Sequence, residues 1–163
     1  DRKGNGLVLS QSIKINTSLA NLDSLANAKV IDKDKEYQVA EEYRGKLKIK
    51  TPSVEQLVGN LSGGNQQKVL LAKWMFTGPD ILILDEPTRG IDVGAKYEIY
   101  CIINDLAAAG KSVIMISSEL PEVLEMSDRI YIMNASRMVG EMKASEATQE
   151  SIMAEILKSG RGD

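Results

Sequence analysis

Histidine is absent from this 163-residue chain, and cysteine, tryptophan and phenylalanine each occur once. Without histidine there is no imidazole for acid–base work near neutral pH and none to ligate a metal. Cys101 alone cannot form an internal disulfide, so a reducing compartment and no structural metal are expected. In the amphipathic stretch Tyr97–Ile103 it reads as a small buried hydrophobe. No apolar run approaches the ~18 residues of a membrane span, and the start Asp1-Arg2-Lys3-Gly4 has no signal-peptide hydrophobic region, so the chain reads as soluble. What is present, 43% apolar and 26% charged residues, suits one α/β domain or a piece of a larger one.

The net charge of −3 hides an asymmetry: residues 1–77 carry 12 basic and 8 acidic side chains, residues 78–163 carry 8 and 15. The basic half does not read as a nucleic-acid surface. Its lysines alternate with acids, as in Asp32-Lys33-Asp34-Lys35-Glu36, and aromatic stacking platforms are missing.

Periodicity divides the chain near the middle. A short helix is expected around Ile13–Leu22, a surface helix from Asp32 to Lys50 on Tyr37, Ala40, Tyr43 and Leu47, and a short helix Val54–Val58 capped by Ser53. Everything before Ser62 thus reads as helical. Beyond it a helix to Phe76 is stopped by Gly78-Pro79-Asp80, and the aliphatic run Ile81–Leu84 suits a strand buried on both faces. A helix Val93–Ala109, a strand Ser112–Ser117 and a helix Leu120–Met126 follow, the alternation of a parallel sheet with crossovers. Arg129–Met133 and Met138–Met142 read as a hairpin, and Thr148–Lys158 as a closing amphipathic helix. Met115, Met126, Met133, Met138 and Met142 read as core filler.

Two motifs carry chemistry. In Leu61-Ser62-Gly63-Gly64-Asn65-Gln66-Gln67 a helix start directs unpaired N–H groups and the positive end of its dipole outward, and two glycines leave room for a phosphate. The second motif, Ile81-Leu82-Ile83-Leu84-Asp85-Glu86-Pro87-Thr88, delivers two carboxylates to the carboxyl end of a buried strand, where open α/β sheets place ligands. Asp85 is the candidate to hold Mg²⁺ through water, and Glu86 the candidate base for in-line attack on a γ-phosphate. A phosphate-binding loop is missing. Gly110-Lys111-Ser112 is its nearest match, but Asp105 stands where the upstream glycine should be, and a helix precedes it where a strand belongs. The sequons at Asn16, Asn60 and Asn134 and the terminal Arg161-Gly162-Asp163 read as chance.

Together these motifs resemble the signature and Walker B sequences of ABC ATPases, and the chain is similar to the second nucleotide-binding domain of the ribose, galactose and xylose importers. The matching stretches are Asp1-Arg2-Lys3 with Gly6–Leu9, Leu61–Val69, Leu82 with Asp85–Lys96, Ser117–Glu122 and Ser127–Ile130. The resemblance implies a partial P-loop NTPase (ABC ATPase) fold: a mostly parallel α/β sheet with helices plus an all-α helical subdomain. Residues 1–77 would be the helical subdomain ending in the signature helix, and residues 78–163 the rest of the α/β core.

The resemblance further implies ATP and Mg²⁺ as cofactors. Ser62, Gly63, Gly64, Asn65 and Gln66 would contact nucleotide, with Asp92 in the D-loop, and Glu86 and Ser118 would be catalytic. Ser118 stands at the switch position usually held by histidine, whose contact to the γ-phosphate a hydroxyl cannot reproduce. The implied partners are a second nucleotide-binding domain, transmembrane permease subunits and, indirectly, a sugar-binding protein, at the cytoplasmic face of the cell membrane. The Walker A and Q-loop positions would lie upstream, so the chain alone is expected to be inactive and to expose apolar surface. Two competing readings are a non-catalytic half that completes the partner's ATP site and a soluble, non-transport ABC ATPase.

Overall fold

The computed structural model describes residues 2–159, so the Arg161-Gly162-Asp163 tail lies outside the described residues. The chain folds as two compact units. One runs to Leu82 and takes in Thr88–Val113; the other comprises Ile83–Pro87 and the chain from Ile114 on.

The first unit begins with a π-helical turn, Arg2–Gly6, followed by helix α1 (Ile13–Ser18), whose N-cap Ser12 accepts from the Ile15 N–H at 3.2 Å. Asn16 is fully buried in α1. Its side chain accepts from Val8 N–H and donates to the Val8 and Ser12 carbonyls, stitching the preceding loop to the helix. The Asn16 sequon is therefore inaccessible.

Not everything before Ser62 is helical. Strands β1 (Ala26–Asn27) and β2 (Val30–Ile31) form a small antiparallel hairpin, turned by Ala28 and Lys29 at φ +49° and +67°. Nor do residues 54–58 form a helix. Ser53 Oγ accepts from Glu55 N–H at 3.1 Å, Leu57 bridges to Ser12, and only a 3₁₀ turn, Val58–Asn60, follows. Leu7 and Val54 enter the core here from irregular backbone, and Val58 from the 3₁₀ turn.

Helix α2 (Lys33–Lys46) is capped by Asp32 and buries Ala40, with Leu47 buried just beyond, as its spacing predicts. Tyr37, however, is exposed, and Glu36 is buried in its stead, accepting from the Ser18 hydroxyl at 2.6 Å. Helix α3 (Gly63–Met75) packs Val69, Leu71 and Ala72 inward, whereas Trp74 is half exposed, with the Lys73 ammonium 5.3 Å from its ring centroid.

Strand β3 (Ile81–Asp85), helix α4 (Val93–Ala108) and strand β4 (Ser112–Ile116) follow, and β3 pairs with β4. Ser112 N–H donates to Asp80 O at one end and Glu86 N–H to Ile116 O at the other, so the two strands run in the same direction. The expectation of a strand buried on both faces fails. Leu82 and Leu84 are buried, but Ile81 and Ile83 are 60% and 64% exposed, and Ile114 and Ile116 on β4 are 52% and 50% exposed. The strand alternates because only one face is covered. Cys101 is also exposed, since α4 buries the stripe Ile99, Ile102 and Ile103 and the thiol lies off it.

The second unit holds the ends of β3 and β4, helix α5 (Leu120–Met126), the hairpin of β5 (Arg129–Asn134) and β6 (Arg137–Lys143), and helix α6 (Gln149–Ser159). Its core is Ile130, Ile132 and Ile152, flanked by Leu120, Leu124 and Met142. The hairpin turn is Ala135-Ser136, both at positive φ (+46° and +63°). Met133 and Met138 face outward and are not core filler.

Candidate functional site: paired helix starts and a strand-end carboxylate

In the first unit α3 and α4 pack with their starts adjacent. Each start is capped: Ser62 accepts from Asn65 N–H, and Asp92 Oδ1 accepts from Ala95 N–H at 2.9 Å. A cap satisfies one of several unpaired N–H groups at a helix start, so the remaining ones and the dipole still favour an anion. A cavity of about 200 Å³ opens here, lined by Ser62, Gly64, Asn65 and Asp92 together with Lys50, Gly94, Ala95 and Glu98.

The two glycines do different things. A Cβ on Gly64 would sit 2.5 Å from the Ala95 Cβ, so its missing side chain lets the two helices meet. A Cβ on Gly63 would stand 3.3 Å from Gly90 O and 3.4 Å from an Arg2 guanidinium nitrogen, a tight fit against the segment that precedes α4. Gly90 itself turns at φ +70°.

Asn65 bridges the loop and the helix, donating to Ser62 Oγ at 3.0 Å and accepting from Lys50 N–H at 2.9 Å. Gln66 points into the core, where its Nε2 donates to the Val58 and Leu61 carbonyls. The structure thus brings Ser62, Gly64, Asn65 and Asp92 around one cavity, and places Gly63 and Gln66 beside it.

Sequence reasoning missed the ionic network beneath. Lys68, fully buried on α3, donates to Lys48 O and to Glu98 of α4, both at 2.9 Å, while Lys50 reaches Glu98 at 3.2 Å. These hydrogen bonds, that from Lys68 first, hold the Glu98 carboxyl below its usual range against the opposing pull of desolvation. No spacing in the chain links positions 68 and 98. The small pairs Gly63-Gly64 and Gly94-Ala95 were the one legible hint that these helices touch.

In the second unit Glu86 has φ +48°, and its carboxylate accepts from the Ser118 backbone N–H at 2.9 Å. Asp85 is exposed at the end of β3. Among the described residues no cluster of three or more histidine, cysteine, aspartate or glutamate side chains could cage a metal. A lone exposed carboxylate still suits Mg²⁺, which usually takes one or two carboxylates and fills its other positions with substrate phosphates and water.

The glycine-bearing start of α3 beside the capped start of α4 and, in the other unit, a strand ending in Asp-Glu fit the class of ATP-binding cassettes. The chain belongs to the ABC transporter family, whose model matches residues 2–89. It is 59% identical over 159 residues to the L-arabinose transport ATP-binding protein AraG of Geobacillus stearothermophilus, covering 98% of this chain and 31% of that protein. The ribose import ATP-binding protein RbsA of Clostridium tetani is 54% identical over 154 residues, covering 94% of this chain and 30% of the relative. For the xylose import ATP-binding protein XylG of Geobacillus kaustophilus the identity is 56% over 153 residues, with 94% and 30% covered. The chain therefore spans about a third of the length of these relatives.

Among solved structures, an inward-facing metal-chelate type ABC transporter superposes with a TM-score of 0.77 at 18% identity, over 91% of this chain and 59% of that one. A dimeric ATP-binding cassette in a post-hydrolysis state, bound to ADP and Pi, gives 0.72 at 21% identity, over 85% and 59%. These share the fold.

Proposed function

We propose that the chain is the signature- and Walker B-bearing portion of an ATP-hydrolysing subunit that drives monosaccharide import, in the second of two nucleotide-binding domains on one polypeptide. The observation that carries this reading is the pair of capped helix starts around an open polar cavity, with Ser62 exposed at its rim. Preorganised N–H donors in such a place stabilise the charge of a transferring phosphoryl group. The phosphates would be those of ATP held by the partner domain, and Ser62, Gly63 and Gly64 would complete that site, with Asp92 ordering the α4 start. Mg²⁺, when bound, neutralises phosphate charge, and Asp85 is the residue that would hold it through water.

Glu86 accepts the proton of the attacking water in this domain's own site. Residues 1–77 transmit the closing motion to transmembrane permeases fed by a sugar-binding protein, at the inner face of the membrane, and residues 78–163 complete the catalytic core. The relatives are named for arabinose, ribose and xylose yet are 54–59% identical to this chain, which supports sugar choice by the membrane and binding proteins.

The test is ATP turnover by the full-length polypeptide carrying Glu86→Gln or Ser62→Ala singly. Glu86→Gln is expected to lower kcat by about a hundredfold or more, and Ser62→Ala to slow turnover by the partner site. If Ser62→Ala slows hydrolysis while Glu86→Gln leaves it untouched, this half only donates its signature, and the non-catalytic reading replaces ours.

A further inference from the structure

We propose that Ser118 positions Glu86 through its backbone N–H, so that main chain holds the base at a switch position whose side chain is serine. The proposal rests on the reading of Glu86 as the base. At φ +48° Glu86 occupies a region that strains a residue with a Cβ, and such strain persists only where surrounding bonds enforce it. Two bonds do so. Its N–H donates to Ile116 O at 2.8 Å, and its Oε1 accepts from Ser118 N–H at 2.9 Å. Backbone and side-chain tip of one residue are thereby both tied to a three-residue segment at the end of β4.

That segment is itself braced, because Ser117 Oγ accepts from Glu119 N–H at 3.0 Å just ahead of α5. A flexible glutamate tip held by a fixed donor gives up its rotamer freedom before the reaction rather than during it. Among the described residues the Glu86 carboxylate has no further hydrogen bond or ion pair. Oε2 is therefore left to take a proton from water as the water oxygen bonds to the γ-phosphorus and the β–γ bridging P–O bond breaks, its electron pair leaving with ADP. A main-chain donor does not depend on the side chain at 118. Serine in place of histidine then removes a side-chain contact to phosphate without releasing the base.

The test compares two full-length proteins with the same methyl side chain at this position: Ser118→Ala, and its ester analogue in which lactic acid replaces alanine and oxygen replaces the N–H. The ester is expected to lower kcat by about tenfold or more relative to the amide, with KM for ATP unchanged within about twofold. In a Glu86→Gln background the difference should vanish, as it does for groups acting as a unit. Independently of turnover, hydrogen exchange at the Ser118 amide should be at least about tenfold slower in the nucleotide-free parent than in Glu86→Ala. Equal kcat for amide and ester, a difference that persists without Glu86, or equal exchange overturns the proposal. Undiminished turnover by Glu86→Gln alone removes the base reading itself, and the proposal with it.

Discussion

Lys68 is a cation with almost no exposed surface, and its charge is met by one carbonyl and one carboxylate. Removing that carboxylate leaves the ammonium desolvated. Glu98→Ala is therefore expected to cost about 1.5–3 kcal/mol, measured as a drop in the urea midpoint at unchanged slope. The same residue gives a pH signature. Its folded pKa lies below the unfolded one, so its contribution is complete above the ordinary glutamate range, about 4.3, and is lost as pH falls through the lowered folded value. Glu98→Gln should flatten this part of the acid limb in stability measured between about pH 5 and pH 2, while leaving the alkaline side as it was.

At the scale of elements, Gly64 and Ala95 set how closely α3 and α4 approach. Gly64→Ala is expected to destabilise the protein by about 1–3 kcal/mol through overpacking. Adding Ala95→Gly should recover part of that loss in a double-mutant cycle, and strict additivity would show that the clash is relieved elsewhere. The β5–β6 turn offers the opposite test. Ala135 and Ser136 both sit at positive φ, so Ala135→Asn with Ser136→Gly should raise the melting temperature, the turn then having the residues that its backbone favours.

These elements also mark the limits of what was legible. Helices α3, α4 and α5 follow the spacing of their apolar residues and end near Gly78, Gly110 and Met126, because caps and stop residues are local signals. The β1–β2 hairpin was not legible, since Ala28-Lys29 turns without glycine or asparagine and the flanking strands are two residues each. Residues 54–58 have the apolar spacing of a helix, but the Val54 and Gln56 carbonyls accept from Lys14 and Ile13 N–H, Leu57 bridges to Ser12 and Val58 N–H donates to Gln11 O, and no local pattern reports such bonds. Within the site, the helix start at Ser62 was readable from Ser-Gly-Gly, whereas Asp92 entered only through the resemblance and its capping of α4 was not read. The packing of Gly64 and the buried lysine of α3 depend on residues some thirty positions away in sequence.

Taken whole, the chain shows an apolar sheet face at Ile83, Ile114 and Ile116, and it spans about a third of its relatives' length. The isolated 163-residue chain is expected to bind a hydrophobic dye, and Ile83→Thr with Ile116→Thr should reduce that binding at least twofold or so, threonine keeping the strand propensity. ATP titrated into the isolated chain should bind more weakly than about 1 mM, because the nearest match to a phosphate-binding loop, Gly110-Lys111-Ser112, lies between a helix and a strand in the wrong order. Micromolar binding in a calorimeter would contradict this.

Trp74 on α3 and Cys101 on α4 are the sole indole and the sole thiol of the chain, and both are open to solvent. Nature has thus left one selectively excitable indole and one alkylation handle on the two helices whose starts frame the cavity. A thiol-reactive acceptor dye would report the spacing of those helices by energy transfer, in a chain that needs no engineered label site.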